Sequence, residues 1–582
     1  MKKVLSLVLA VLMAAAAMTA CTTLEKNELG EYDKGAIIDM YLTTEVYDFD
    51  PQQSITDDAM LKIMSLLYEP LTRLNEKGKW EKAGMKNYTV DVDDGEDFII
   101  LIELNDTRWS DGRTVQAADY VYSWKRLLEA ENPNEAASLL FDIKNAYDIK
   151  LGDASIDDLG IAAVDTYTLQ VQFEKKIDLD RFFENCSSIA LSPLREDVIT
   201  HYKDSWACKS TYIVTNGPFC PKEIEYGKTL RLERSSYYYL PKNYKGAWDK
   251  YVIPYRLLTR YSTGDADDQV KAYEDGAIFY NGEIALDKRA DYAKSATVTD
   301  LMTTHTYVFN TKNELFEKPE VRRALSMALD RNAIVELITF AKPATGYIPY
   351  KVFDTKAGTS FRKVGGDLLS AGADLEGAKA LLKQAGSKGG SFTLTVRDNE
   401  VDKAIADYAA GVWSGLGFKV DVDVVKANAG SDSTIYVDNF QDKYDAGDFD
   451  VIAIDMNMLS PDAFGALSQF AVSFSGNGVD MNSENYELYG HITGYADDDY
   501  NALIESAFAE TDRSARATIL HDAEKKLLDD MPVIPLVFLQ DAYLDSDELS
   551  GIKSTYYGTR DFADTKLKNY MSYKALTDTE EE

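Results

Sequence analysis

The sequence is poor in the residues and motifs from which catalytic and metal sites are commonly built. It has 4 histidines in 582 residues, all widely separated, and no two of them have the spacing at which a helix binds zinc. A G-x-S-x-G nucleophile elbow, a Walker-type phosphate loop and a Rossmann fingerprint are all missing. The 97 acidic residues are too numerous for a glycosidase-like carboxylate pair to stand out. We therefore predict that the protein is not an enzyme and needs neither a cofactor nor a metal ion.

Cysteine is also scarce, with 4 in the whole chain. After Cys21, the remaining Cys186, Cys208 and Cys220 are odd in number, so an exported protein would keep at least one thiol unpaired. A short loop closed by Cys208 and Cys220 and a set of small buried thiols both fit the sequence, and we favour the thiols. The sequence therefore does not predict a disulfide framework.

Positive charge is in deficit, because 62 basic residues stand against 97 acidic ones and give a formal net charge of −35. Such a charge argues against nucleic acid and anionic lipid headgroups as partners, since both are negatively charged. Beyond the N-terminus, no apolar run approaches membrane length. With 45% hydrophobic and 11% aromatic residues, the chain is nevertheless expected to fold into a globular body.

The single long apolar run lies at the N-terminus. Two lysines, the apolar stretch 4–17 and a small-residue end before Cys21 predict a secretory signal peptide over residues 1–20. The stretch is too short for a membrane span, which needs about 20 residues. Residues 18–21 resemble a bacterial lipobox, which implies that Cys21 carries a lipid; simple secretion is the alternative. The polar residues 21–35 are then a lipid-anchored tether.

Strand and helix patterns along the rest of the chain predict an α/β fold. Residues 98–104 form an apolar, β-favouring run, and an Asp-Gly turn and an amphipathic helix follow it. Farther on, an alternating strand at 392–396, a helical stripe at 405–413 and a second strand at 418–424 form a βαβ unit, which implies a parallel sheet. About 560 residues are too many for one core, so we expect at least two lobes.

Two segments resemble a known family. WSDGRTVQAADYVYSWKR at 109–126 resembles the signature WSDG-x-P-V-T-A-x-D-F-V-Y-S of bacterial extracellular solute-binding proteins, family 5, the peptide- and nickel-binding class. The helix KPEVRRALSMALDR at 318–331 is a second match, and the resemblance extends from about residue 45 to residue 560. Gln116 stands where the family has a capping Thr, for which we expect a loss of about 0.5–1 kcal/mol and an unchanged fold.

The resemblance implies an α/β clamshell of the periplasmic-binding-protein type (type II) with an extra α+β subdomain. We expect lobe I to comprise residues 36–78, 189–300 and 536–575. The inserted subdomain, which is lobe II of the family, is expected at residues 79–188. Lobe III, which closes over the ligand, is expected at residues 301–535.

In peptide-binding members of the family, a strand with the pattern G-W-x-A-D-Y-x-D-P supplies an Asp that binds the α-amino group of the ligand. Counting back from Pro461 places Asn457 at that Asp, with Asp455 two residues away. A neutral Asn cannot form the charge-assisted bond to an ammonium, so a free amine is required only if Asp455 takes the role after a register shift. A turn or strand-end role is the alternative for both residues.

The resemblance implies three groups of ligand-binding residues. One group precedes the LYEP segment, where relatives offer backbone contacts, although membership of the helix core is equally compatible. A second lies at an NGPF turn that lines the cleft in the family, for which a purely structural turn is the alternative. The third lies at a strand end, where ligands of parallel sheets bind. Together these residues are Lys62, Ile63, Met64, Asn216, Gly217, Phe219, Asp455, Met456 and Asn457.

The function implied is that of the substrate-binding lipoprotein of an ABC importer, which captures oligopeptides outside the cell by hinge closure and delivers them to a membrane permease. The expected partners are therefore an oligopeptide ligand and the permease. We expect a monomer that contacts the membrane only through its lipid anchor, at the extracellular face of the cytoplasmic membrane or in the periplasm. The alternatives are a receptor of the same fold for a non-peptide ligand or a signalling peptide, and a surface enzyme or adhesin.

Overall fold

The computed structural model describes residues 34–53, 58–239, 251–261, 266–426, 428–429, 436–437, 439–480 and 487–577. The expected signal peptide, Cys21 and nearly all of the tether lie outside the described residues. None of the described helices combines the length and the apolar character needed to cross a membrane.

The described strands, in chain order, are β1 Ile37–Tyr41, β2 Thr72–Leu74, β3 Trp80–Lys82, β4 Met85–Asp93, β5 Phe98–Leu104, β6 Ile161–Ala163, β7 Thr168–Phe173, β8 Phe219–Glu225, β9 Thr229–Arg234, β10 Arg256–Arg260, β11 Tyr280–Asn281, β12 Thr297–Phe309, β13 Ala341–Pro343, β14 Gly390–Arg397, β15 Phe418–Val425, β16 Asn428–Ala429, β17 Tyr436–Val437, β18 Val451–Asn457, β19 Val479–Asp480, β20 Glu487–Leu488, β21 Val533–Asp545, β22 Leu549–Ser550, β23 Lys553–Ser554, β24 Arg560–Asp561 and β25 Lys566–Leu567.

The described α-helices are α1 Asp58–Leu67, α2 Ala117–Leu128, α3 Ala146–Lys150, α4 Leu179–Asn185, α5 Glu196–Tyr202, α6 Ala266–Glu274, α7 Arg289–Tyr292, α8 Pro319–Met327, α9 Arg331–Ile338, α10 Phe361–Gly365, α11 Leu375–Ala385, α12 Glu400–Ser414, α13 Asn439–Asp445, α14 Ala463–Leu467, α15 Asp498–Ala509, α16 Arg513–Asp530 and α17 Tyr570–Thr577. Short 3-10 helices lie at Pro51–Gln53, Glu135–Leu140, Ile156–Asp158, Ile189–Leu191, Lys203–Ser205, Leu286–Lys288, Ser468–Phe470 and Val472–Phe474.

One large sheet runs from the residues expected to form lobe I to those expected to form lobe III, with the strand order β15-β14-β18-β12-β21-β11-β1-β10-β9-β8 and β13 beside β21. At the lobe III end, β14 and β15 pair in parallel along their whole length, with α12 between them in the chain. The βαβ unit predicted from the sequence is therefore confirmed. At the lobe I end, β1 pairs in parallel with both β10 and β11.

The two long strands β12 and β21 run through both halves of this sheet. Near its end, β12 pairs with β18 of lobe III, whereas the last residues of β21 pair with β11 of lobe I. The β12–β21 pairing is irregular between Asp300 and Thr304, and again between His305 and Thr306. An irregular ladder is weaker than a regular one, so a hinge is best placed here. The expected boundaries at 300/301 and 535/536 fall on these irregularities, and the division into lobes remains a prediction.

The inserted subdomain is built on the antiparallel sheet β4-β5-β7-β6. Strand β5 has the limits that the sequence predicts, and α2 packs with Tyr120 and Trp124 fully buried. Asp119 fixes the signature loop to this helix, because its carboxylate accepts hydrogen bonds from the Gln116 backbone N–H and the Trp109 indole, both at 2.9 Å. In this chain the signature therefore has a structural role.

The three cysteines in the described part of the chain are free thiols, so a Cys208–Cys220 bridge is not formed. Cys186 and Cys220 are buried and Cys208 is half-buried. Burial raises the pKa of the Cys208 and Cys220 thiols to about 11, which keeps both protonated at neutral pH.

Candidate functional site

A cavity of about 720 Å³ lies where lobe I, the inserted subdomain and lobe III meet. Small-ligand sites typically have volumes of roughly 300–1,000 Å³. Lobe III contributes residues 457–459, at and just after the end of β18. The tyrosines of the wall are Tyr68, Tyr238, Tyr239, Tyr251, Tyr556 and Tyr557, and its charged residues are Glu69, Arg73, Glu76, Lys77, Lys553, Asp561 and Asp564.

The wall segment around Glu69 is held in place by the side chain of Asn216, which lies 147 residues later in the chain. The Glu69 backbone N–H donates to the Asn216 Oδ1 at 3.0 Å, and the Asn216 Nδ2 donates to the Glu69 carbonyl at 2.7 Å. Next to it, the Gly217 N–H donates to the Leu67 carbonyl at 2.8 Å. A Cβ on Gly217 would lie 2.5 Å from the Leu67 carbonyl carbon, so only glycine fits at this turn.

The Glu69 carboxylate is a fixed part of the wall. It accepts hydrogen bonds from the hydroxyls of Tyr238 and Tyr239 and from the Arg73 guanidinium, the last at 2.7 Å. Burial raises the pKa of Glu69, whereas Arg73 and the Tyr238 hydroxyl oppose that rise. The Arg73 side chain remains 49% exposed, so this cluster presents its guanidinium at the cavity surface.

The end of β18 lies along β12 and faces the cavity at Asn457. The Thr303 hydroxyl donates to the Asn457 Oδ1 at 2.5 Å, and the Met458 N–H donates to the Met302 carbonyl at 2.8 Å. These bonds join the end of β18 to the irregular stretch of β12. A ligand in the cavity would therefore touch the place where the two main lobes are connected.

Asp455 does not line the cavity. Its carboxylate lies 2.6 Å from the Nδ1 of His305, and its side chain is 29% exposed. Burial disfavours the charged imidazolium, but the Asp455 carboxylate outweighs it and raises the pKa of His305. Burial also raises the pKa of the neighbouring Asp402 to about 6. Asp455 is thus the partly exposed member of an acid–imidazole cluster with the buried His305 and Asp402.

The remaining predicted site residues support the wall from behind. Lys62 makes ion pairs of 3.0 Å with Asp58 and Asp541, so its ammonium is already compensated. The side chains of Ile63, Met64, Phe219 and Met456 are buried in the core. Of the nine predicted residues, all of which lie in the described part of the chain, Asn457 alone lines the cavity. Ligand contact by any of them remains a prediction.

The sequence analysis did not predict that the lobe I hairpin formed by β23 and β24 belongs to the site, although this hairpin supplies much of the cavity wall. Tyr556 and Tyr557 are adjacent in it and both line the cavity. The Tyr557 hydroxyl lies 3.0 Å from the Ser187 Oγ of the subdomain, and the Tyr556 hydroxyl donates to the Lys351 carbonyl of lobe III at 2.9 Å. The tyrosine doublet was the available signal, but its sequence alone does not distinguish surface from cavity.

The inserted subdomain and lobe III are in direct contact, so the clamshell is closed. The Val479 N–H donates to the Ala130 carbonyl at 3.0 Å, and the Asn134 N–H donates to the Gly476 carbonyl at 3.2 Å. The ring of Tyr147 stacks on that of Phe474, with 4.8 Å between their centroids. Backbone bonds of this kind require the two surfaces to meet in one fixed register.

Ionic groups also cross the interface between the subdomain and lobe III. Arg516 binds both carboxylate oxygens of Asp462 at 2.8 Å, and the guanidinium of Arg181, from the subdomain, approaches the same carboxylate at 3.9 Å. Arg513 binds Glu184 of the subdomain at 2.7 Å. Burial raises the pKa of Glu184 to about 7, although Arg513 opposes the rise. Part of this interface is therefore close to titration at neutral pH.

The half-buried Glu135 provides a second titratable carboxyl at that interface. It packs on Gly476, whose Cβ, if present, would lie 3.1 Å from the Glu135 Cα. The charged and titratable groups of lobe III that face it are Asp445, Tyr347 and Tyr444. Burial, assisted by Asp445, raises its pKa to about 7. No described cation compensates Glu135, so its ionisation opposes the closed arrangement.

Comparisons with known proteins agree with this architecture. A sequence model described as bacterial extracellular solute-binding proteins, family 5 Middle, matches residues 98–478. The dipeptide-binding protein DppE of Bacillus subtilis (strain 168) is 26% identical over 554 residues, which are 92% of this chain and 94% of that protein. The oligopeptide-binding protein OppA of the same organism is 25% identical over 569 residues, covering 95% of this chain and 97% of that one.

A solved structure shows the same fold. The substrate-binding domain of an oligopeptide ABC transporter from Bacillus anthracis str. Ames superposes with a TM-score of 0.76 at 21% identity, covering 92% of this chain and 99% of that chain. The clamshell fold of the periplasmic-binding-protein type, expected from the sequence, is confirmed by this likeness.

Proposed function

The chain belongs to the bacterial extracellular solute-binding proteins, family 5, and on that premise we propose that it captures short peptides outside the cell and delivers them to the permease of an ABC importer. The observation that carries the proposal is the cavity of about 720 Å³ that lobe I, the inserted subdomain and lobe III line together. The relatives whose names specify dipeptides or oligopeptides support it, because they align over nearly the whole chain.

The cavity suits a peptide because it offers both apolar surface and fixed polar groups. Its six tyrosines supply flat apolar faces with hydroxyl groups at their tips, which can pack on side chains and hydrogen-bond to a peptide backbone. Wall segments from lobe I and from the end of β18 in lobe III meet around it. A ligand that touches both segments favours the closed form, since the open form offers only one of them at a time.

Capture and delivery require closure to be reversible. An affinity near micromolar, about −8 kcal/mol, is enough for capture and still permits release to a permease. The hinge at β12 and β21 allows each lobe to move as a rigid body, so few internal contacts change on closure. The interface between the subdomain and lobe III would then separate as a unit.

We also propose that residues 1–20 are removed as a signal peptide and that Cys21 carries the lipid that holds a monomeric protein at the outer face of the membrane. Fractionation of cells that express the full chain tests this anchor. The wild-type chain should sediment with membranes, and Cys21→Ala should release it to the soluble exported fraction. A Cys21→Ala chain that remains with the membranes contradicts the anchor.

Native mass spectrometry of the mature protein tests the ligand class. Co-purification of mixed short peptides is expected, and the protein stripped of them in denaturant and refolded should bind defined tripeptides. A single non-peptide mass would favour the receptor of another ligand. Failure of the stripped, folded protein to bind any tripeptide would contradict the proposal.

A matched pair of variants connects binding to this cavity. Glu76 and Lys79 are exposed residues of the same turn, but only Glu76 lines the cavity. Glu76→Trp should therefore lower tripeptide affinity at least about tenfold by filling space at the cavity rim, whereas Lys79→Trp should not change it. Equal affinities for the two variants would place the ligand elsewhere.

A further inference from the structure

The charges of the cavity wall do not balance. Glu69 is bound to Arg73 at 2.7 Å, and Asp564 is bound to Lys553. The remaining opposite pair, Glu76 and Lys77, are neighbours in an exposed turn, so they add no net charge. One carboxylate of the described wall, that of Asp561, is left over.

The side chain of Asp561 lies on the cavity side of β24 and not in the protein core. In β24 it is the register partner of Lys553, which lies directly across in β23. The preceding Arg560 points to the other side of the strand, where it binds Asp541 at 2.8 Å. The Asp561 Oδ1 accepts a hydrogen bond from the Ala563 N–H at 2.8 Å, which fixes the orientation of the carboxylate.

Two cations near Asp561, Lys553 and Arg73, interact with it electrostatically but form their ion pairs with other carboxylates. Lys553 is the nearest lysine in the strand register, but its ammonium binds Asp564 instead. Within the described ranges, no lysine or arginine forms an ion pair with Asp561. The half-buried carboxylate is therefore not tied up in an ion pair, and an incoming cation can bind it.

Asn457, at the end of β18, cannot form a charge-assisted bond to a cation, because its side chain is neutral and its Oδ1 already accepts a hydrogen bond from the Thr303 hydroxyl. We propose that Asp561 binds an ammonium group of the ligand and makes this cavity selective for ligands that carry one. The inference rests on the proposed peptide-binding function. Every peptide with an uncapped N-terminus carries such a group, and a lysine side chain offers the same chemistry.

Three tripeptide probes and four proteins test the assignment. The probes are Ala-Ala-Ala, N-acetyl-Ala-Ala-Ala and N-acetyl-Ala-Lys-Ala, titrated calorimetrically into the stripped mature protein. The proteins are the wild type, Asp561→Asn, Asp561→Glu and the control Asp547→Asn, which removes an exposed carboxylate of the same segment outside the cavity. Thermal unfolding of each protein shows whether it is folded.

The wild type and Asp547→Asn should prefer the free tripeptide over its acetylated form at least tenfold. Asp561→Asn should reduce that ratio to less than threefold, and Asp561→Glu should restore part of it. Binding of N-acetyl-Ala-Lys-Ala as tightly as the free tripeptide identifies a side-chain ammonium as the ligand group, whereas weak binding identifies the α-amino group.

An undiminished ratio in folded Asp561→Asn would overturn the assignment, because another carboxylate would then bind the amine. Equal binding of free and acetylated tripeptides by the wild type would overturn it as well, while leaving the peptide-binding function intact. If no probe binds the wild type at all, both the function and this inference are contradicted.

Discussion

The replacement Asn216→Ala separates a positioning role from direct ligand contact. It removes both bonds to the Glu69 backbone, at 3.0 and 2.7 Å, and leaves a buried N–H and a buried carbonyl without their partner. Each of the two unsatisfied buried groups costs about 1–3 kcal/mol, so we expect a loss of about 2–6 kcal/mol in the free energy of unfolding. Tripeptide affinity should fall with it, because the wall segment around Glu69 loses its support.

Urea unfolding followed by tryptophan fluorescence and by circular dichroism measures the stability loss, and agreement of the two transitions justifies a two-state analysis. Asn310→Ala is a suitable control, because Asn310 does not line the cavity and its half-buried side chain makes its bonds within lobe III: it donates to the Phe449 carbonyl at 3.2 Å and accepts from the exposed Lys312 N–H at 3.1 Å. It should lose about 1 kcal/mol and bind tripeptides normally. Reduced affinity of Asn216→Ala without a loss of stability would refute the positioning role and favour direct contact.

Three further predictions concern titration, a buried ion pair and the thiols. Burial in the closed arrangement raises the pKa of Glu135 from its ordinary value of 4.5 to about 7, so we expect closure to take up a proton. The contribution of the protonated carboxyl to closure is then complete below about pH 4.5 and is lost as the pH rises through 7. Tripeptide affinity should therefore fall from pH 5 to pH 8, and Glu135→Gln should flatten that fall in part. Affinity that rises over this range, or an unaltered slope in Glu135→Gln, contradicts the argument. Asp462→Ala leaves Arg516 buried without its bidentate partner and should lower the free energy of unfolding in urea by about 3–5 kcal/mol. A loss below about 1 kcal/mol would show that water replaces the carboxylate. At pH 7 a thiol reagent should modify the half-buried Cys208 slowly and before the buried Cys186, and immediate reaction of all three thiols in the folded protein would contradict their burial.

Local patterns in the sequence predict individual elements accurately. Strand β5 and the β14–α12–β15 unit appear where the alternation of apolar residues places them, and α8 begins at its proline. The expected lobe boundaries at 300/301 and 535/536 coincide with irregular positions of the β12–β21 ladder, but the division into lobes itself remains a prediction. The helices and strands depend on residues that are close together in the sequence, and the lobe boundaries were taken from the long family resemblance.

The cavity wall depends instead on segments that are far apart in the chain. For Asn216 the sequence allowed both ligand contact and a structural turn, and the structure pairs its side chain with the backbone of Glu69. These residues are 147 positions apart, so no local sequence pattern predicts the pairing. In the same way, the imidazole that binds Asp455 belongs to β12, and only the register of β12 on β18 brings His305 opposite it. The sequence did not predict Asp561 as a ligand-binding residue, because its proposed role follows from the charges around it in the folded protein and not from the residues next to it in the chain.

Hydrogen exchange of two backbone amides tests the central claim, that this clamshell closes on a peptide, most directly. The N–H groups of Val479 and Asn134 donate across the interface between lobe III and the subdomain, so they are protected only while the lobes are closed. In the stripped protein both should exchange rapidly, and saturating tripeptide should slow them at least about tenfold, while the amides of β5 remain unchanged. Tripeptide binding that leaves the exchange of both amides unaltered would contradict closure on the ligand.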